Sequence, residues 1–189
     1  MFRNSNFFTD EEIKAKKYLG QNFLIDNNIL SKISNLDSDL SNSIILEIGP
    51  GYGALTQKLL SNNPKKIFAI EKDSQFLPYL NKIKSENSNQ FNFVIADALD
   101  YNYNFLLNKK LKIFSNLPYN IATKLLVTWL KCNLVSQKWH SLTLMFQKEV
   151  AQRIVADIGS KNYGRLSLLT NLVSDAETMF DVPKSCFRP

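Results

Sequence analysis

The chain reads as an α/β protein, a mostly parallel sheet with helices on both faces, and three observations predict that class. Short apolar runs recur at Ile44–Ile48, Ile67–Ile70, Phe91–Ile95, Leu111–Phe114 and Leu142–Phe146. Stretches of helical periodicity separate or follow them, near 54–62, 74–85, 121–131 and 147–157. The length, 189 residues with 44% hydrophobic content, suits one domain with a substantial core. Alternating β-rich runs and helices form βαβ units, whose crossovers cover a parallel sheet on both faces.

Ahead of the first strand, Thr9-Asp10-Glu11-Glu12 resembles a capping box opening a short amphipathic helix. Asp26 is placed to cap a second helix that buries Ile29, Leu30 and Ile33. No apolar run approaches the roughly 18 residues of a membrane helix. The start, Met1-Phe2-Arg3-Asn4 with acid by Asp10, lacks the apolar core of a signal peptide. Cys132 and Cys186 match no metal-ligand spacing, which suggests reduced thiols in a cytoplasmic protein. His140, just ahead of an apolar run, reads as structural.

The net charge of +6, with a sequence pI near 9.2, fits an anionic partner such as nucleic acid. Abundant Lys, Asn and Ile would also follow from an AT-biased coding sequence, so placement says more than the total. Lys14, Lys16 and Lys17 cluster before Gln21, and Lys148, Arg153, Lys161 and Arg165 follow the last strand. Solvated helix ends are the competing explanation for these charges.

Ligands of parallel sheets bind beyond the carboxyl ends of the strands, so the strand-end residues carry the chemistry. The first strand runs into Glu47-Ile48-Gly49-Pro50-Gly51-Tyr52-Gly53-Ala54. Glycines at 49 and 51 permit a tight strand-to-helix turn and a close backbone approach. Gly49-x-Gly51-x-x-Ala54 also satisfies the dinucleotide fingerprint, so the loop alone discriminates weakly. Pro50 removes an N–H that would face a pyrophosphate. Glu47 adds negative charge, which disfavours phosphate and tolerates the cationic sulfonium of S-adenosylmethionine. Glu71, at the second strand end, can accept both hydroxyls of a ribose without saying which nucleoside. Asp97, at the third, suits an adenine amino group, with helix capping as the alternative; Asp100 reads as a solvated turn acid.

The fourth strand ends in Asn116-Leu117-Pro118-Tyr119. An Asn, a rigid Pro and an aromatic there form a small polar slot beside a stacking face. That slot suits a flat base with an exocyclic amine, against the plainer reading of an ordinary Asn/Pro turn. Leu77-Pro78-Tyr79 repeats the last three letters inside a polar helical pattern, with no strand before it, and reads as surface structure.

Taken together, these strand ends resemble those of the ribosomal RNA adenine dimethyltransferases, the KsgA family. The resemblance extends to Lys17-Tyr18-Leu19-Gly20-Gln21-Asn22-Phe23-Leu24 and to Gln147-Lys148-Glu149-Val150-Ala151-Gln152-Arg153. It also takes in Tyr163-Gly164-Arg165-Leu166-Ser167, Val182-Pro183 and Phe187-x-Pro189. Erm methylases are similar at Gln-Asn-Phe-Leu but have Asn-Ile-Pro-Tyr at the slot, so Leu117 favours the KsgA branch.

The resemblance implies a Rossmann-like class I S-adenosylmethionine-dependent methyltransferase fold over residues 1–189, with a cofactor lid in 1–40. It implies that Asn22, Leu24, Gly49, Gly51, Glu71, Asp97 and Asn116 bind S-adenosylmethionine. Asn22 and Leu24 would form the lid, Glu71 would hold the ribose and Asp97 the adenine amine. Asn116, Leu117, Pro118 and Tyr119 would be catalytic. Tyr119, Phe187, Lys148, Arg153 and Arg165 would bind substrate, and no metal is implied. The implied partner is 16S rRNA in a small ribosomal subunit precursor, met in the cytoplasm by a monomer. In the family, the chain continues past Phe-x-Pro into a final antiparallel strand and a helical domain. A chain stopping at Pro189 therefore reads as truncated, its sheet lacking that strand.

The implied reaction methylates the exocyclic N6 of adjacent adenines near the 3′ end of 16S rRNA. Two other classes compete: an RNA-binding assembly factor on the same fold, and a nicotinamide-dependent oxidoreductase resting on the glycine loop alone. An Erm-type 23S rRNA methylase is the nearer alternative.

Overall fold

A computed structural model describes residues 15–37, 39–102, 104–106 and 111–188. The proposed helix at Thr9–Glu12 lies outside them. Five strands, β2 (Ile44–Ile48), β3 (Lys66–Glu71), β4 (Phe91–Ile95), β5 (Leu111–Asn116) and β6 (Ser141–Met145), form one sheet in the order β4-β3-β2-β5-β6. Every pairing in it is parallel. The chain steps outward from β2 to β4, then crosses to β5 on the other flank. β2 and β5 are hydrogen-bonded neighbours, and the crevice at their carboxyl ends is the topological switch point.

Strand side chains alternate between faces, and the sequence follows that period. Ile45, Ile67, Ala69 and Phe114 enter one core with α1 (Asn27–Ser34), α2 (Ala54–Ser61) and α3 (Leu77–Glu86). Leu46, Ile48, Ile70, Leu111 and Ile113 enter the other. That core is covered by α4 (Tyr119–Val135), α5 (Lys148–Ile154) and α6 (Arg165–Val173). Asp26 caps α1, accepting from the amides of Asn28 and Ile29 at 2.8 and 3.0 Å, and the helix buries Leu30 and Ile33.

Several boundaries move. The stretch 74–85 resolves into a 3₁₀ turn at Ser74–Phe76 followed by α3. Helix α4 starts at Tyr119 and reaches Val135, beyond the expected 121–131. Helix α6 was legible only as a motif, and nothing predicted the small antiparallel pair of β1 (Phe23–Leu24) with β7 (Phe187–Arg188). Among the described residues the large sheet holds no antiparallel strand.

Lys112 sits inside the apolar run of β5 yet is only 7% exposed. Its ammonium reaches Asp37 Oδ1 at 2.6 Å and the Asp39 carbonyl at 2.7 Å, so the buried charge is paired. His140 is exposed, and its amide donates to the Leu111 carbonyl at 2.7 Å, which fits a structural role. No helix among the described residues is long and apolar enough to cross a membrane.

Candidate active site

The turn after β2 takes its shape from glycines in the left-handed region, Gly49 at φ 68° and Gly51 at φ 56°. The Gly49 amide donates to the Ile70 carbonyl at 2.9 Å and the Gly53 amide to the Pro50 carbonyl at 2.8 Å. The Gly51 amide donates to Glu71 Oε2 at 2.9 Å. Pro50 has no amide hydrogen. At these four positions, therefore, no amide is left for a pyrophosphate.

Glu71 is buried, with Oε1 accepting from the Asp73 amide at 2.8 Å and Oε2 from Gly51. Burial raises its pKa, against the lowering effect of those amides. The Lys72 amide also bears on the carboxylate, which still leaves it acceptor capacity for a further donor. Glu47 departs from expectation. It is 1% exposed, and burial pushes its pKa up to about 8, aided by the charge of Glu71 and opposed by the Thr56 hydroxyl, which donates at 2.8 Å. At neutral pH it is mostly protonated, so it does not supply the negative charge that the sequence suggested. Its place is structural: it ties β2 to the first turn of α2.

Asp97 follows β4, and the structure gives it two partners. Oδ2 receives the Lys72 ammonium at 2.7 Å and Oδ1 the Leu99 amide at 2.9 Å. The Lys72 hydrogen bond holds its carboxyl below the ordinary range. The capping alternative is thus realised in the turn, while the carboxylate keeps free lone pairs and faces the same cleft.

Ser115 of β5 donates its hydroxyl to the Ile48 carbonyl, fastening β5 to β2 just short of the glycine turn. Asn116 comes next. Its Nδ2 donates to the Asn22 carbonyl at 2.9 Å. Only the nitrogen end of an amide can donate to a carbonyl, so this bond fixes which way Oδ1 faces. Pro118, with φ −57°, caps α4, and its carbonyl receives the Ile121 and Ala122 amides, both at 3.1 Å. Leu117 is buried at 1% exposure, whereas Tyr119 is 37% exposed and lies open to the cleft. A Cβ on Gly49 would stand 3.6 Å from Pro118 Cδ, so the slot and the glycine turn touch.

The segment from Lys16 to Leu24 lies across these tips. Tyr52 donates its hydroxyl to the Leu24 carbonyl at 2.9 Å, and the Phe23 ring packs 5.5 Å from Tyr52 and 5.6 Å from Phe76. Gln21 Nε2 and Lys16 Nζ reach the two oxygens of Asp73 at 3.0 and 2.8 Å. A Cβ on Gly20 would meet the Tyr119 amide nitrogen at 3.4 Å, which keeps this segment close to α4.

One open cleft of about 1500 Å³ joins these parts. It is lined by Asn22, Leu24, Gly49, Gly51, Glu71 and Asp97, and by all of Asn116 to Tyr119. Lys148 and Phe187 also line it, although Lys148 pairs with Asp181 at 2.6 Å and Phe187 is part-buried against the α1 core. Arg153 and Arg165 are exposed on α5 and α6 outside the lining. Lys14 lies outside the described residues. Sequence reasoning missed Lys72 and Asp73, the two residues that follow Glu71. The signal was the unusual density of charge in Glu71-Lys72-Asp73 at one strand end.

The family model for ribosomal RNA adenine dimethylase matches residues 12–189. The chain belongs to that family. It is 46% identical over 177 residues to a ribosomal RNA small subunit methyltransferase A of Cereibacter sphaeroides, covering 94% of this chain and 63% of that protein. A solved dimethyladenosine transferase from Plasmodium falciparum superposes with a TM-score of 0.68 at 32% identity, covering 79% of this chain and 52% of the other. The 23S rRNA methyltransferase ErmE superposes with a TM-score of 0.61 at 23% identity, covering 72% of this chain and 52% of the other, which speaks to the fold alone. The parallel sheet and its helices are thus those of the class I methyltransferases. The chain spans just under two thirds of the length of the first of these relatives.

Proposed function

We propose that this chain transfers methyl groups from S-adenosylmethionine to the N6 amines of adjacent adenines near the 3′ end of 16S rRNA, acting on a small-subunit precursor in the cytoplasm. The observation that carries this reading is the bond from Asn116 Nδ2 to the Asn22 carbonyl, which leaves Oδ1 set as an acceptor at the strand tip.

The cleft fits the methyl donor. Glu71 keeps acceptor capacity for a ribose diol, Asp97 keeps it for an adenine amine, and the glycine turn offers close approach without phosphate-binding amides. Asn22 and Leu24 belong to the segment above these tips, the place of a lid. When bound, the donor supplies a methyl on a sulfonium, an electrophile that needs no further activation.

The chain's own residues act on the nucleophile. An adenine amine has its lone pair delocalised into the ring. Asn116 Oδ1 and the Leu117 carbonyl accept hydrogen bonds from its two N–H groups, turning the nitrogen toward tetrahedral geometry and freeing the pair; after transfer the nitrogen releases one proton to solvent. Pro118 stiffens the backbone that presents that carbonyl. Extruding the base costs a few kcal/mol. Stacking on Tyr119, about 1–3 kcal/mol, offsets most of it. Holding nitrogen and methyl in line supplies roughly 7–11 kcal/mol of the barrier. The monomethylated amine keeps one proton for an acceptor, so the same slot serves a second transfer.

Labelled-methyl transfer to undermethylated small subunits, run beside a calorimetric titration with S-adenosylmethionine, tests this. Incorporation at adenine N6 is the expected result. Tight RNA binding without incorporation would instead assign the chain to the assembly factors on this fold.

A further inference from the structure

Asp73 is the most heavily used carboxylate near the cleft, and the reaction gives it no task. Its side chain is 2% exposed. Oδ1 accepts from Lys16 Nζ at 2.8 Å and from the Gln75 amide at 3.1 Å. Oδ2 accepts from Gln21 Nε2 at 3.0 Å and from Gln75 Nε2 at 2.6 Å. The Lys16 amide in turn donates to Gln21 Oε1 at 2.7 Å, closing a ring of bonds between the 16–21 segment and the tip of β3. On its own backbone, Asp73 donates to Glu71 Oε1 at 2.8 Å.

These contacts lie at one end of a short strap. At its other end, one residue past Gln21, the Asn22 carbonyl receives Asn116 Nδ2. The strap therefore spans from the ribose-facing acid to the amine-facing amide. We propose that Asp73 is a positioning residue: with Gln21 and Lys16 it latches the strap onto β3, and so fixes the carbonyl that orients Asn116 and closes the methyl-donor site. This deepens the methyl-transfer reading and rests on it.

The latch is polar and ends on a half-exposed lysine, so it is able to open. Lys16 and Gln21 lie on the strap while Asp73 lies on the body, so breaking the ring frees the strap without emptying either hydrophobic core. Asp73 also caps the turn before α3, so a variant there mixes latch and cap. Gln21→Leu breaks the latch from the strap side and leaves that cap untouched.

Three measurements on the 189-residue chain test the latch: amide exchange across residues 18–22, affinity for S-adenosylmethionine by calorimetry, and thermal midpoint. In Asp73→Asn and Gln21→Leu, exchange across the strap should rise and affinity fall about tenfold. The midpoint of Gln21→Leu should stay near wild type. The double variant should lose little more than either single, because both break one latch. Unchanged strap exchange in Gln21→Leu overturns the proposal whether or not the methyl donor binds. Losses that add fully in the double variant, or that follow the midpoint alone, overturn it too. A wild-type chain that binds no S-adenosylmethionine would sink the methyl-transfer reading separately.

Discussion

Leu117-Pro118-Tyr119 and Leu77-Pro78-Tyr79 share three letters and open a helix each, yet they expose opposite residues. In the first, Leu117 is 1% exposed and Tyr119 stands open to the cleft. In the second, Leu77 is 41% exposed and Tyr79 packs part-buried against the α1 core. Proline near a helix start is common to both, because its missing amide hydrogen is not needed there. What differs is the residue in front. Asn116 ends a buried strand tied through Ser115 to β2, which fixes the direction of entry into α4. Phe76 ends a 3₁₀ turn, and α3 then rotates to put its own first leucine outside. The tripeptide encodes a helix start, and the preceding element encodes which side chain faces the cleft.

The comparison can be broken most severely at the leucines. Leu117→Ala should cost about 2–5 kcal/mol in urea denaturation. Leu77→Ala should stay within about 0.5 kcal/mol, as for other exposed positions. Equal costs would mean that the two leucines share one environment. Next comes the amide that only the cleft copy has beside it. Asn116→Ala should lower methyl transfer by about 10²–10³-fold, the usual scale for one preorganised polar group.

A smaller contrast separates the tyrosines. Tyr119→Ala should reduce turnover at least about tenfold while affinity for the methyl donor holds. Tyr79→Ala should leave turnover per folded molecule unchanged and lower stability instead. A matched loss of turnover in both would remove the stacking role. The mildest test concerns the acid behind the cleft. Glu47 has its pKa raised by burial from 4.5 to about 8, so its proton favours the folded state. That contribution is complete below pH 4.5 and is lost as pH rises to about 8. Glu47→Gln should flatten the fall of stability across that window, with a slope that remains from Glu71, whose pKa is also raised. An unaltered slope in denaturation curves would mean that Glu47 is ionised in the fold.

Much of this was legible in the chain. The apolar runs marked every strand of the large sheet because parallel strands are buried on both faces, as Ile45 and Ile67 show on one and Leu46 and Ile70 on the other. The cleft residues Glu71, Asp97 and Asn116 were found because a strand end is a place where chemistry is expected. The charge state of Glu47 was not legible. It depends on full burial against Thr56 and Glu71, and a sequence carries no dielectric. The pairing of Lys72 with Asp97 and of Lys16 with Asp73 also escaped, since the partners are 25 and 57 residues apart.

By itself, then, the sequence determined where the chain extends, where it coils and which side chains stand at the strand tips, because period and turn chemistry are local. Only the tertiary structure decided that Asn22 and Asn116, 94 residues apart, share a hydrogen bond that fixes which way the amide oxygen faces. Direction of that kind comes from packing one segment across another, and no spacing along a chain records it.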